Sequence, residues 1–128
     1  MFDHIQIKVS DLQRSRVFYQ KVLGTLGYSV VLEIEDVVVG IGTNAHNMFE
    51  IRQAGPDAPL SQSVHVAFVA KSEDDVRRFH AMALHCGATD NGAPGLRPDY
   101  EEGYFAAFIV DPDGHNVEAV FSSKQTAD

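Results

Sequence analysis

Two histidines and two glutamates occupy matching places in this chain. His65 follows His4 by 61 residues, and each lies on the polar side of an alternating strand pattern. Glu118 follows Glu50 by 68, and each sits on the polar side of a later strand pattern. Imidazole nitrogen and carboxylate oxygen together suit a divalent metal, and a thiolate-free set accepts Zn, Ni, Fe, Co or Mn without selecting sharply among them. A lone strand histidine is more often a half-exposed polar residue than a ligand. A lone glutamate is more often a solvated one. What joins these four is their repetition. The remaining histidines are expected in water, His46 and His115 in turns and His80 and His85 on a helix.

The elements that position the four follow from periodicity. Residues 2–9 alternate, with Ile5, Ile7 and Val9 on one face and His4, Gln6 and Lys8 on the other. Ser10 opens a helix with Gln13 at capping-box spacing. Leu12, Ser15, Phe18, Tyr19, Val22, Leu23 and Leu26 form its stripe, and Gly24 and Gly27 are its stops. Strands are expected at 28–35, 37–42 and 47–53. Residues 54–61, AGPDAPLS, read as a linker. The pattern then restarts with a strand at 63–70. A helix capped by Ser72 follows, its stripe made by Val76, Phe79, Ala83 and Cys86 and its end by Gly87. Residues 88–103 are rich in turn formers and leave room for one short strand. Two apolar runs then flank Asp111-Pro112-Asp113-Gly114, a hairpin turn in which proline presets φ and glycine accepts a positive one.

Each half therefore reads strand–helix–strand–strand–strand, with module 1 over about 1–53 and module 2 over about 62–122 of a single domain spanning 1–128. The fold class is α+β: two tandem βαβββ modules whose helices cover one face of each mixed sheet. The opposite faces are expected to curl into a cup that gathers His4, Glu50, His65 and Glu118. A metal there also relieves the charge of Glu118, which lies mid-strand between Val117 and Ala119.

Bulk properties narrow the partners. The 128 residues carry a net charge of −8 with scattered basic residues, which disfavours nucleic acid and anionic membrane surfaces. One cysteine, Cys86, permits no internal disulfide and fits a reducing cytoplasm. Neither a signal peptide nor a membrane span is expected, because a strand pattern begins at once without a basic leader or long apolar run.

The segments FDHIQIKVSDLQRSRVFYQKVLG, MFEI, SVHVAF and FIVDPDGHNVEAV resemble the vicinal-oxygen-chelate superfamily, which groups glyoxalase I, bleomycin-resistance proteins and extradiol dioxygenases. The stretch from Gly95 to Val120 is similar to a short glyoxalase-like subgroup. The resemblance covers essentially the whole chain. It implies paired modules forming a U-shaped sheet around a divalent metal, with His4, Glu50, His65 and Glu118 as ligands. It further implies capture of a small substrate with two vicinal oxygens, stabilisation of an enolate, and Glu118 or its counterpart Glu50 as the base. The expected activity is a glyoxalase I-like lyase or isomerase, or an epimerase.

Relatives of other kinds compete. A dioxygenase uses two histidines and one glutamate, so Glu50 counts against it. Fosfomycin-inactivating thiol transferases need a basic clamp that the chain does not display. A non-catalytic resistance protein of the bleomycin type lacks the ligand set retained here. Arg97, Tyr100 and Tyr104 are expected to line the mouth of the cup as substrate-binding residues. The nearby Asp99, Glu101 and Glu102 disfavour highly anionic ligands such as glutathione. The resemblance also implies a twofold homodimer, with modules paired within a chain or between chains.

Overall fold

The structure is a computed structural model that describes residues 1–125. It divides into two compact units, the first covering Met1–Gln62 and the second beginning at Ser63. Each is a βαβββ module, the two tandem modules expected from the repeat.

In the first unit the elements are β1 (His4–Val9), α1 (Leu12–Gly24), β2 (Ser29–Ile34), β3 (Val38–Asn44) and β4 (Asn47–Gln53). The sheet order is β1-β4-β3-β2. β1 runs parallel to β4, and the other neighbours are antiparallel. Helix α1 packs on one face, where Phe18, Tyr19, Val22 and Leu23 meet Ile7, Val9, Val39, Ile41, Phe49 and Ile51 in the core. The Tyr19 and Phe49 rings lie 5.2 Å apart in that layer. Strands β3 and β4 approach closely at Gly42, where a Cβ would stand 2.1 Å from the Asn47 carbonyl oxygen.

The second unit repeats the plan with β5 (His65–Val69), α2 (Glu73–His85), β6 (Thr89–Leu96), β7 (Tyr104–Val110) and β8 (Asn116–Ser122), in the order β5-β8-β7-β6. Val76, Phe79 and Ala83 of α2 are buried against this sheet, and the Arg77 guanidinium lies 4.9 Å from the centre of the Phe105 ring. Among the described residues, no helix is long and apolar enough to cross a membrane.

Several local expectations are corrected. The cap of α1 is Asp11, whose carboxylate accepts from the Arg14 amide; Ser10 instead accepts from the Arg14 side chain. Either residue type caps a helix well, and Asp11 has the extended backbone of a cap. Ser72 caps α2 as expected. The turn-rich stretch 88–103 contains an eight-residue strand, β6. It is an edge strand with register shifts at Gly92, and an edge tolerates its Pro94. His80 is not solvated: it is buried on α2 and pairs with the Asp90 carboxylate at 2.9 Å. Cys86, expected in the buried stripe, is the half-buried C-cap.

The hairpin turn is also more built than its glycine and proline suggest. The Asp111 carboxylate is buried and accepts from the amides of Asp113 (2.9 Å) and His115 (2.8 Å). Gly114, at φ 89°, closes the turn by donating to the Asp111 carbonyl. His115, expected in solvent, is buried, and its Nδ1 accepts from the Val64 amide. Its Nε2 has no hydrogen-bond partner among the described residues.

Replacing Asp111 with Ala strands these amides. The expected cost is about 1–3 kcal/mol, measured by urea denaturation, with the slope of the transition unchanged.

Candidate metal centre

The register of each sheet decides which side chains share the face away from the helix. In the first unit Gln6 is the partner of Glu50, so His4, Gln6, Met48 and Glu50 lie together there. Gly40 pairs with Glu50 from the other side, and the Met48 sulfur lies over Gly40. Glu50 is only 7% exposed, and Gln6 donates its amide to Oε1 at 3.0 Å.

His4 is exposed, but it is not loose. Its Nδ1 lies 2.8 Å from one oxygen of Asp3, and the other oxygen is 2.9 Å from Nδ1 of His46. A carboxylate only accepts, so Nδ1 of His4 carries the proton and Nε2 is left to bind elsewhere. The bond to Asp3 and the charge of Glu50 raise the His4 pKa. The bonds from His4 and His46 lower that of Asp3.

In the second unit Ala67 is the register partner of Glu118, and His65 lies two residues earlier on the same face. His65 Nε2 is 3.1 Å from Glu118 Oε1. Its Nδ1 is 3.0 Å from the Asn116 carbonyl oxygen, which again fixes the proton on Nδ1. Glu118 is 2% exposed, and the Tyr104 hydroxyl donates to its Oε2 at 2.5 Å. Burial, followed by the bond to Glu118, pushes the Tyr104 phenol well above its ordinary pKa.

The residues expected at the mouth of the cup gather in this same unit. Tyr100 sets its ring edge-on against Tyr104 (5.3 Å) and Phe108 (6.4 Å). The Arg97 guanidinium lies 5.4 Å from the centre of the Phe108 ring, and its nitrogens donate to the Ala93 and Leu96 carbonyls. Phe108 is the register partner of Glu118 and stacks on His65 at 6.3 Å. Sequence reasoning missed Phe108, because counting outward from the four-residue turn at 111–114 falls one residue short of its partner Glu118. It also missed Gln6, which lies on the His4 face two residues on, and Asp3 and His46, for which periodicity carries no signal.

Within each unit the imidazole and carboxylate are donor types that suit a divalent cation. Both histidines present Nε2 because Nδ1 is held by an oxygen, the usual orientation of a ligating histidine. Two donors sharing a cation at about 2.0–2.2 Å stand roughly 3–3.5 Å apart, and His65 Nε2 and Glu118 Oε1 are 3.1 Å apart. Among the described residues, no group of three or more His, Cys, Asp or Glu is placed to hold a metal. Each unit offers one imidazole and one carboxylate.

Comparison with known proteins gives the same fold. A glyoxalase/bleomycin resistance protein from Albidiferax ferrireducens T118 is 28% identical with a TM-score of 0.82, covering 94% of this chain and 98% of its own. Lactoylglutathione lyase from Agrobacterium tumefaciens is 18% identical at a TM-score of 0.67, covering 94% and 92%. TioX from Micromonospora sp. ML1 is 14% identical at 0.70, covering 95% and 98%. No curated protein matches the chain. The family model that matches residues 1–119 shows that the chain belongs to the Glyoxalase/Bleomycin resistance protein/Dioxygenase superfamily.

Proposed function

We propose that this protein is a metal-dependent, glyoxalase-like lyase or isomerase acting on a small substrate with vicinal oxygens, with His4, Glu50, His65 and Glu118 as its metal ligands. The observation that carries this reading is the orientation of the donors. Each histidine turns Nε2 outward from an Nδ1 held by oxygen, and each carboxylate is buried and hydrogen-bonded. The bound metal supplies Lewis-acid stabilisation of negative charge on the substrate oxygens.

The two glutamates divide the remaining work. Glu118 is held at Oε2 by the Tyr104 hydroxyl, and its Oε1 lies beside His65 Nε2. Among the described residues the Glu50 carboxylate accepts a hydrogen bond at Oε1, from Gln6, which leaves Oε2 to take a proton from carbon beside a carbonyl. Phe108, Tyr100 and Arg97 present an aromatic wall with one cation beside Glu118, suited to the apolar part of a substrate. That wall also serves a non-catalytic small-molecule binding protein, the second reading.

The single free cysteine fits a reducing cytoplasm. A homodimer is supported by the sheet edges. β1 and β5 are edge strands, and on them Ile5 and Val69 are 43% and 44% exposed. Sedimentation is expected to give a dimer; a monomer at every concentration refutes it.

Protein purified without chelator is expected to carry about one divalent metal per chain by elemental analysis, and His65→Ala to lose most of it. A wild type that takes up no metal on titration leaves the second reading standing. On an α-ketoaldehyde hemithioacetal or 2-oxo acid that is turned over, Glu50→Gln is expected to lower kcat by about 10²–10⁴-fold while most metal is retained. Glu118→Gln is expected to lose metal and activity together.

A further inference from the structure

The two carboxylates sit at equivalent places in the repeat, yet they are held from opposite sides. In the first unit the donor is Gln6 on the parallel neighbour β1. The equivalent position in the second unit is Ala67, the register partner of Glu118, and its methyl group donates nothing. The missing donor comes from the antiparallel neighbour. Tyr104 pairs with Ser122, four residues along β8 from Glu118, and shares its face. Its long side chain lies back along the sheet and delivers the hydroxyl to Oε2 at 2.5 Å. The edge of Tyr100, 5.3 Å away, restrains the ring.

We propose that Tyr104 is a positioning residue of the metal centre: by holding Oε2 of Glu118 it leaves Oε1, beside His65 Nε2, as the single oxygen offered to the cation. This rests on the metal-dependent reading above. It moves Tyr104 from the substrate wall to the support of a ligand. It also makes the second unit the more rigid of the two donor pairs, since a phenol on a β-strand has fewer rotatable bonds than the glutamine that serves Glu50.

The test is a Co(II) titration of wild type and Tyr104→Phe, followed by visible absorption. The substitution keeps the ring and removes only the hydroxyl. Loss of an outer-shell partner is expected to weaken binding by about 10–100-fold. It is also expected to change the shape of the Co(II) band, because Glu118 is freed to engage through both oxygens. A folded variant with wild-type affinity and an unchanged band overturns the proposal. A wild type that shows no Co(II) band overturns the metal reading and this inference with it. Wild-type protein with 3-fluorotyrosine at its four tyrosines supplies a readout that needs no variant to fold. One ¹⁹F resonance is expected to shift on addition of Zn, and no shift at any of them also overturns the proposal.

Discussion

Two carboxylates almost entirely removed from water set the terms for everything around them. Glu50 and Glu118 lie on the sheet faces that the helices do not cover, at 7% and 2% exposure. An ionised carboxylate taken out of water without partners costs several kcal/mol. Polar donors are accordingly turned toward them: the Gln6 amide to Glu50 and the Tyr104 hydroxyl to Glu118. The histidines inherit the same order one bond further out, through Asp3 and the Asn116 carbonyl. The polar side of each sheet is thus a chain of oriented hydrogen bonds that ends on a donor atom.

The repeat preserves backbone and donors while the support diverges. Gly40 faces Glu50 across the strands, whereas Phe108 faces Glu118. One carboxylate is flanked by a thioether lying over a glycine, the other by an aromatic ring stacked on its histidine. The first unit fixes its imidazole with a side-chain carboxylate shared with His46; the second uses a backbone carbonyl. An amide and a phenol, a carboxylate and a carbonyl, perform equivalent tasks because each supplies the needed donor or acceptor at hydrogen-bond distance. Only Asp3 adds charge, and it raises the pKa of His4.

The fold was legible because its signals are local. Alternation in β1 and β5, stripes on α1 and α2, and turn chemistry at 111–114 are each written in a few neighbouring residues. The four candidate residues were legible because the repeat marks them, at an offset of 61 for the histidines and 68 for the glutamates. Their supports were not, because each depends on register: Tyr104 reaches Glu118, fourteen residues on, only through the pairing set by the hairpin between them. One short strand was expected within 88–103, but the glycines and proline of β6, which an edge strand tolerates, hid its bounds and its eight-residue length. His80 and His115 were misplaced because a histidine's burial follows from a partner elsewhere in the chain, Asp90 for one and the Val64 amide for the other.

The closing turn has a consequence beyond joining two strands. His115 grips the Val64 amide, Asn116 donates its own amide to the Val64 carbonyl, and the Asn116 carbonyl fixes the proton of His65. The end of an edge strand is thereby tethered by His115, just after the turn, and by Asn116, the first residue of β8. Edge strands are among the first elements to fray in sub-global opening. Here, fraying of β5 at that end would release the imidazole from its tautomer before the core noticed. The turn therefore orders the His65 imidazole as well as reversing the chain.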